Sequence, residues 1–330
     1  MTAHLAILFL ATLLDRIVGD PPELWRRLRH PVVLVGGLIA VLDRSLNDPH
    51  LPSGRRRLNG CLLALLLVLG GAILGLGLSA LFSLAGIVGA VFEIVLVAVF
   101  LAQKSLLDHV GAVETALKDE GLEAGRAAVA QIVGRDVSEL DEAGVCRAAI
   151  ESLAENTSDG IVAPFLFYLV LGLPGLLVYK AVNTADSMVG HLDETYRDFG
   201  WASARLDDLL NLVPARLTAR LYVRLSVPGG RPARRAAMDE VRRDARLHRS
   251  PNAGWPESAL ARGLAIALGG PRRYRGLHVE APFINANGRR AAIAADIAAG
   301  TGLTRRLFDR LLWIAGLAML ASLLLSAGLA

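Results

Sequence analysis

Residues 61–82 read CLLALLLVLGGAILGLGLSALF, 22 consecutive positions without a charged group. An α-helix rises about 1.5 Å per residue and the hydrocarbon core of a bilayer is about 30 Å thick, so about 20 such residues suffice to cross it. The stretch predicts a membrane-spanning helix over 61–82. Working outward, 84–102 and 311–330 meet the same length criterion. The composition of the 330-residue chain agrees, since 53% hydrophobic against 20% charged residues, with mean hydropathy +0.46, is too apolar for water-soluble domains and excludes disorder. Only 5% of residues are aromatic, and the apolar runs are built from Leu, Ala, Val and Gly. That mixture favours helices over the alternating pattern of an outer-membrane barrel. The expected fold class is therefore all-α, a polytopic membrane protein with helical cytoplasmic regions. Net charge is +4, but most of the excess is Arg beside apolar runs, which sets a nucleic-acid partner aside in favour of membrane lipid. Cys61 and Cys146 form neither a disulfide framework nor a metal-ligand spacing.

Two further apolar segments are less regular. Residues 3–18 are shorter and end in Asp15 and Arg16, without a basic leader or a small-residue cleavage site, so they read as a retained anchor rather than a signal peptide. Residues 161–179 contain Pro164 and the run Leu173, Pro174, Gly175, which divides them into two short halves. They read as a hairpin or re-entrant pair as readily as a span. Eight Lys or Arg lie between Asp15 and Gly60, and 22 of the 35 basic residues lie between Lys180 and Arg310. The positive-inside rule then places 19–60, 103–160 and 180–310 in the cytoplasm, an arrangement that favours the hairpin, and the protein in a bacterial inner membrane as a multi-pass chain.

The polar regions differ in composition. Residues 103–160 hold 12 acidic against five basic groups, with Leu106, Val110, Val113 and Leu117 at helical spacing, which predicts two or three amphipathic helices. Arg216, Arg220 and Arg224 recur every four residues beside Leu217, Leu221 and Leu225. This is a basic helix that either lies along anionic headgroups or packs on the protein. Pro228 to Pro232 reads as a linker, and Pro256 with Glu257 opens a helix expected to end near Gly269 and Gly270.

Several polar groups have spacing that bears on chemistry. Glu151, Glu155 and Asp159 recur every four residues, so an α-helix continuing through them carries three carboxylates on one stripe. Lys180, Asn183, Asp186 and Ser187 form a second stripe after the apolar hairpin. If the hairpin folds back the two stripes face each other, either as an ion-paired helix interface or as a pocket for a divalent cation and phosphates. Arg135 with Asp136, Arg205 with Asp207 and Asp208, and Asn211 with Arg216 repeat the clustering of guanidinium, amide and acidic groups that suits phosphate. The loop from His248 to Pro256 is rich in restricted and hydrogen-bonding residues and is equally a ligand loop or a structural turn. Glu93 stands alone in an apolar span, either functional or paired internally.

Four strings carry a resemblance: IVGRD at 132–136, ESLAENTSDG at 151–160, YKAVNTADSMVG at 179–190 and SPNAGWPES at 250–258. With Asp15, GDP at 19–21, ARLDD at 204–208 and PAR at 214–216, they resemble the adenosylcobinamide-phosphate synthase family of cobalamin biosynthesis across nearly the whole chain. That resemblance implies ATP-dependent amide-bond formation between adenosylcobyric acid and an aminoalcohol, (R)-1-amino-2-propanol O-2-phosphate or the free aminopropanol. It implies ATP and Mg²⁺ as cofactors, a corrinoid and an aminoalcohol phosphate as substrates, and other membrane-bound late cobalamin-pathway enzymes as candidate partners. Carried onto this chain, it places Glu155, Asp159 and Asp186 at the metal and Arg135, Lys180, Arg205 and Arg216 on phosphates. Asn156, Asn183, Ser187, Ser250 and Asn252 fall at substrate-binding positions, and Asp207 or His248 would deprotonate the incoming ammonium beside the catalytic Asp159 and Lys180. A membrane regulator of similar architecture would lack the need for these intact blocks. A small-solute transporter would explain Pro174 and Glu93 but not the polar motifs outside the spans.

Overall fold

The computed structural model describes residues 2–134, 136–274, 277–279 and 281–328. Arg135 and Ala330 lie outside the described residues. In chain order the helices are α1 (Thr2–Ile17), α2 (Pro22–Arg27), α3 (Pro31–Leu46), α4 (Ser53–Leu84), α5 (Gly86–Leu101), α6 (Gln103–Asp119), α7 (Leu122–Val129) and α8 (Glu142–Asn156). A π-helical turn (Thr157–Val162) leads into α9 (Ala163–Val189), followed by α10 (Trp201–Leu210), α11 (Leu212–Ser226), α12 (Arg231–Ala245), α13 (Gly254–Gly263) and α14 (Ala294–Gly328). Four short strands interrupt the last interval: β1 (Leu268–Gly269) pairs antiparallel with β4 (Phe283–Ile284), and β2 (Arg272–Tyr274) with β3 (Leu277–Val279). The protein is an all-α polytopic membrane protein with this small β-ribbon.

Among the described residues four helical runs are long and apolar enough to cross a membrane, Ser53–Leu84, Gly86–Asp119, Glu142–Val189 and Ala294–Ala327. The helices overrun the apolar stretches at their polar ends, because Arg55, Arg56 and Arg57 continue the hydrogen-bonded ladder of α4 as well as leucines do. α1 is not among the four. Its 16 residues extend about 24 Å, short of the hydrocarbon thickness.

The run through α9 is not straight. Gly172 sits at φ 66°, ψ −153°, a conformation that glycine alone adopts without strain. The Phe167 ring stacks on Tyr179 at 4.9 Å between centroids, whereas an uninterrupted helix would separate the two by about 18 Å. A Cβ on Gly175 would meet the Phe167 carbonyl oxygen at 2.7 Å. The chain thus turns back at Gly172 and the two arms of α9 pack together, with the break just before Pro174 rather than at it.

The chain divides into two compact units, one comprising 1–102, 163–211 and 315–330, the other 103–162 and 212–314. In the first, α4 packs along α9, and the contact is made by glycine. A Cβ on Gly75 would lie 2.4 Å from Pro174 Cα, and one on Gly71 3.1 Å from Val178 Cα. In hydrocarbon a leucine gains nothing by leaving lipid, so helices associate where small residues let backbones approach, and Gly71 and Gly75 form such a pair one turn apart. At the polar end of this contact Ile39, Leu63, Leu67, Ala181, Ala185, Val189 and Phe199 form a buried cluster. Glu93 is paired internally: Tyr168 Oη donates to its Oε1 at 2.7 Å, and His4 stacks on Tyr168 at 4.5 Å.

In the second unit α6, α7 and α8 occupy the acidic interval 103–160 and pack on one another. α11 buries Ala215, Thr218, Ala219, Tyr222 and Val223 and packs on α13, leaving Arg220 and Arg224 exposed. α13 ends at Gly263, well before Gly269 and Gly270. A Cβ at Gly263 would lie 2.9 Å from Ser226, and Ala265 takes a positive φ of 55°, turning the chain toward β1.

Candidate functional site

The second unit carries the larger polar assembly. Asp141 caps α8 by accepting from Gly144 N at 2.7 Å, and the helix runs α-helically to Asn156 before Thr157–Val162 widens into the π turn. Glu151 and Glu155 lie one turn apart on α8, and Asp159 follows within the π turn. Glu151 is buried and accepts from Gly269 N at 2.7 Å, Glu155 is exposed, and Asp159 is half-buried within the π turn. Asn156 donates to Ser152 O at 2.9 Å.

A chain of hydroxyls holds the π turn. Tyr222 Oη, fully buried on α11, donates to Thr157 Oγ1 at 3.0 Å, and Thr157 Oγ1 donates to Leu153 O at 2.7 Å. Since the Tyr222 proton is committed to Thr157, the 2.7 Å contact with Thr304 Oγ1 is one in which Thr304 donates. Burial pushes the Tyr222 hydroxyl up to about 12, against the lowering effect of its two hydrogen bonds. It stays neutral and able to donate.

On the adjoining face of the same unit Arg216 meets the loop before α13. Its Nη1 donates to Leu212 O at 2.8 Å and to Asn252 Oδ1 at 3.1 Å, and its guanidinium carbon lies 4.7 Å from the centre of the Trp255 ring. Burial, with Arg220 nearby, lowers its pKa from the ordinary arginine value, though an arginine remains charged. Among the described residues Nε and Nη2 make no hydrogen bond and no carboxylate forms an ion pair with this group. Ser250 Oγ accepts from the backbone of Asn252 and Ala253, both at 3.2 Å, and Ser250 N donates to His248 Nδ1 at 3.0 Å. His248 Nε2 faces Glu257 at 3.6 Å. His248 Nδ1 also lies 3.4 Å from Ser250 O, so its role as donor or acceptor is set by the tautomer. Ser250 and His248 shape the loop, and Asn252 accepts from Arg216.

In the first unit Asn183 and Asp207 come together with two residues that spacing did not select as a set. Asn183 Nδ2 donates to Asp207 Oδ1 at 3.2 Å, Asn211 Nδ2 donates to Asp207 Oδ2 at 2.9 Å, and Tyr179 Oη donates to Asn211 Oδ1 at 3.0 Å. Burial pushes the Asp207 carboxyl above the usual range, opposed by the Asn183 and Asn211 amides and reinforced by Asp208. Each carboxylate oxygen accepts one amide hydrogen bond, so Asp207 ties α9 to α10. Arg205 is exposed and pairs with Asp208 at 3.3 Å. Ser187 is exposed, with its hydroxyl on Asn183 O at 3.0 Å. Asp186 lies against Gly190, where a Cβ would stand 2.0 Å from Asp186 Oδ1, and Lys180 is half-buried on the same arm of α9. Among the described residues no group of three or more His, Cys, Asp or Glu is assembled to hold a metal ion.

The family model described as CobD/Cbib protein matches residues 8–304. A cobalamin biosynthesis protein CobD from Brucella suis is 55% identical over 298 residues, covering 90% of this chain and 91% of that protein. One from Brucella anthropi is 53% identical over 325 residues, with 98% of each chain covered, and one from Rhodobacter capsulatus is 45% identical over 313 residues, covering 94% and 96%. No solved structure matches the chain.

Proposed function

The chain belongs to the CobD/Cbib protein family and so has a role in cobalamin biosynthesis, and from that premise we propose that it is an ATP-dependent acid–amine ligase of the bacterial inner membrane. In this reading it joins the free carboxyl of adenosylcobyric acid to (R)-1-amino-2-propanol O-2-phosphate, giving adenosylcobinamide phosphate. A carboxylate does not expel oxide to an amine at neutral pH. It is activated when a carboxylate oxygen attacks the γ-phosphorus of ATP with ADP leaving. The amine nitrogen then attacks the acyl carbon, and phosphate departs with that oxygen.

The observation that carries this reading is Arg216: a half-buried guanidinium, oriented by Asn252 and Trp255, with two donors uncommitted and no carboxylate partner among the described residues. Such a group is suited to a phosphate, bidentately and in a partly desolvated setting where the interaction is strong. We assign it to the phosphate of the aminoalcohol or of ATP. The donor set fits Mg²⁺ bound through substrate, since that ion takes one or two carboxylates and fills its other positions with water and phosphate oxygens. Asp159, with Glu155, would hold it, and there it would neutralise charge on the transferred phosphoryl group. The π turn keeps Asp159 half-exposed, and the hydroxyl chain through Tyr222 fixes that turn.

The test is isotopic. Adenosylcobyric acid carrying ¹⁸O in its free carboxyl, turned over by the purified protein in nanodiscs with unlabelled ATP, should deliver ¹⁸O to inorganic phosphate with ADP as the other product. Label in AMP refutes phosphoryl activation, and absence of any ATP-dependent amide product refutes the ligase.

A further inference from the structure

The segment between α1 and α4 reads from its charge as a cytoplasmic loop, yet it folds into two helices whose outward side is apolar. Residues 31–42 carry no charge, and about 12 residues extend only about 18 Å, too short to cross a bilayer and of the length typical of interfacial segments. α3 turns one stripe inward: Ile39 is fully buried, with Val35, Leu42 and Leu46 beside it, against Leu63 and Leu67 of α4. On the opposite side Val33, Leu34, Leu38 and Val41 are 60%, 55%, 53% and 49% exposed. At 100° per residue these four, with Gly37, Arg44 and Ser45, fall on one continuous arc. A helix that is apolar all round does not face water.

Two observations indicate what covers that arc. Leu63 and Leu67 belong to the first turns of the apolar run that opens at Cys61, so their contact with Ile39 sets α3 at the depth where that span enters hydrocarbon. The second is charge. Arg26, Arg27 and Arg29 are exposed on α2 and the corner after it, next to exposed Leu24 and Leu28. Arg26 pairs with Glu23, whereas Arg27 and Arg29 make no ion pair among the described residues. The corner is ordered rather than slack, since His30 caps α3 by accepting from Val32 N at 3.2 Å and packs edge-on to Trp25 at 4.5 Å.

We propose that α2 and α3 form an interfacial anchor, with Val33, Leu34, Leu38 and Val41 sunk into the acyl boundary of one leaflet and Arg27 and Arg29 on anionic headgroups. The occupant of the apolar arc is lipid, not a second copy of the chain. This inference rests on the membrane spans and is independent of the ligase reading. Its consequence is that the chain grips the membrane surface beside α4.

The experiment uses the full-length protein with Cys61→Ala, leaving buried Cys146 in place, and single labels introduced by Leu34→Cys, Leu38→Cys or Arg242→Cys. Arg242 is an exposed position of α12. The labelled protein is reconstituted in phosphatidylcholine vesicles with and without phosphatidylglycerol, and quenched by iodide from water or by nitroxide lipid from the bilayer. The labels at 34 and 38 should respond to the lipid nitroxide and be shielded from iodide, with the label at 242 behaving oppositely. Arg27→Gln with Arg29→Gln should abolish the extra shielding conferred by anionic lipid, each arginine favouring the docked state by about fivefold. Iodide quenching at 34 equal to that at 242 overturns the proposal, as does shielding that disappears when the protein is diluted per vesicle, the signature of a second copy. A full response to phosphatidylglycerol in the arginine variant overturns the headgroup contact.

Discussion

Where α4 meets α9, Gly71 and Gly75 press against the backbone of Val178 and Pro174. Where α11 meets the π turn, Tyr222 donates to Thr157 and accepts from Thr304 inside a fully buried hydroxyl chain. The first contact joins helices by removing side chains, the second by adding polar ones. The difference follows from the surroundings each must exclude. In lipid the gain lies in closeness of fit, because apolar surface is already solvated by acyl chains. In a protein interior a hydroxyl left unbonded costs about 1–3 kcal/mol, so a satisfied chain admits few alternative geometries. The glycine contact sets a distance, whereas the hydroxyl contact sets an orientation, and the orientation falls on the turn that carries Asp159.

The strongest way to break this comparison is Gly75→Leu. Its Cβ would meet backbone, which cannot yield cheaply, so loss of monodisperse protein from detergent extracts is expected, against a cost of about 1–3 kcal/mol or more for ordinary overpacking. Gly77 has nothing within 4 Å, and Gly77→Leu should extract normally. Equal yields for the two variants would remove the contact.

Next in size is Arg216→Lys, which keeps the charge and loses the planar fork held by Asn252 and Trp255. KM for the aminoalcohol phosphate or ATP should rise about 10- to 100-fold, the worth of a charge-assisted hydrogen bond. A fall in kcat with both KM values unchanged would take Arg216 off phosphate. Tyr222→Phe is smaller in stability, about 1–3 kcal/mol from leaving Thr157 and Thr304 without their shared partner. It should lower the thermal midpoint, and an unchanged midpoint would make the hydroxyl chain incidental.

The smallest effect is a slope. Burial raises the Asp207 carboxyl pKa, so the folded state holds that proton more tightly than the unfolded one. The stabilisation is complete below the unfolded value of about 3.9 and is lost as pH rises through the folded value. The stability of the protein relative to Asp207→Asn should therefore decline as pH rises from about 4 toward neutrality. A difference that grows with pH would mean that the Asn183 and Asn211 amides outweigh burial.

Much of this molecule was legible because membrane spans and amphipathic helices announce themselves locally. The apolar run at 61–82 lies within α4, α5 covers 86–101 of the run at 84–102, and α14 covers 311–328 of the last run, while the spacing of Val110, Val113 and Leu117 marks the buried face of α6. Gly71 and Gly75 carried a signal that was in plain view as small residues four apart, but only a partner helix turns that spacing into a contact. The site was less legible. Regular spacing of Glu151, Glu155 and Asp159 says nothing of the π turn in which Asp159 sits, nor of the burial that separates Glu151 from Glu155. His248 and Asp207 are residue types suited to proton transfer, and the groups they meet, Ser250 and Glu257 for the first and Asn183 and Asn211 for the second, are ones that spacing does not reveal.

Which segments are apolar enough to leave water, which faces the polar helices bury, and which family blocks the chain carries can all be read along the chain, because each depends on residues within a few turns of one another. The turn at Gly172, the bond from the Gly269 backbone to Glu151, the grip of Asn252 and Trp255 on Arg216, and the place of the apolar outer arc of α3 beside the start of α4 emerge with the folded chain. These rest on pairs separated by tens of residues, and such pairs form only after loop closure has selected one arrangement among many of equal local propensity.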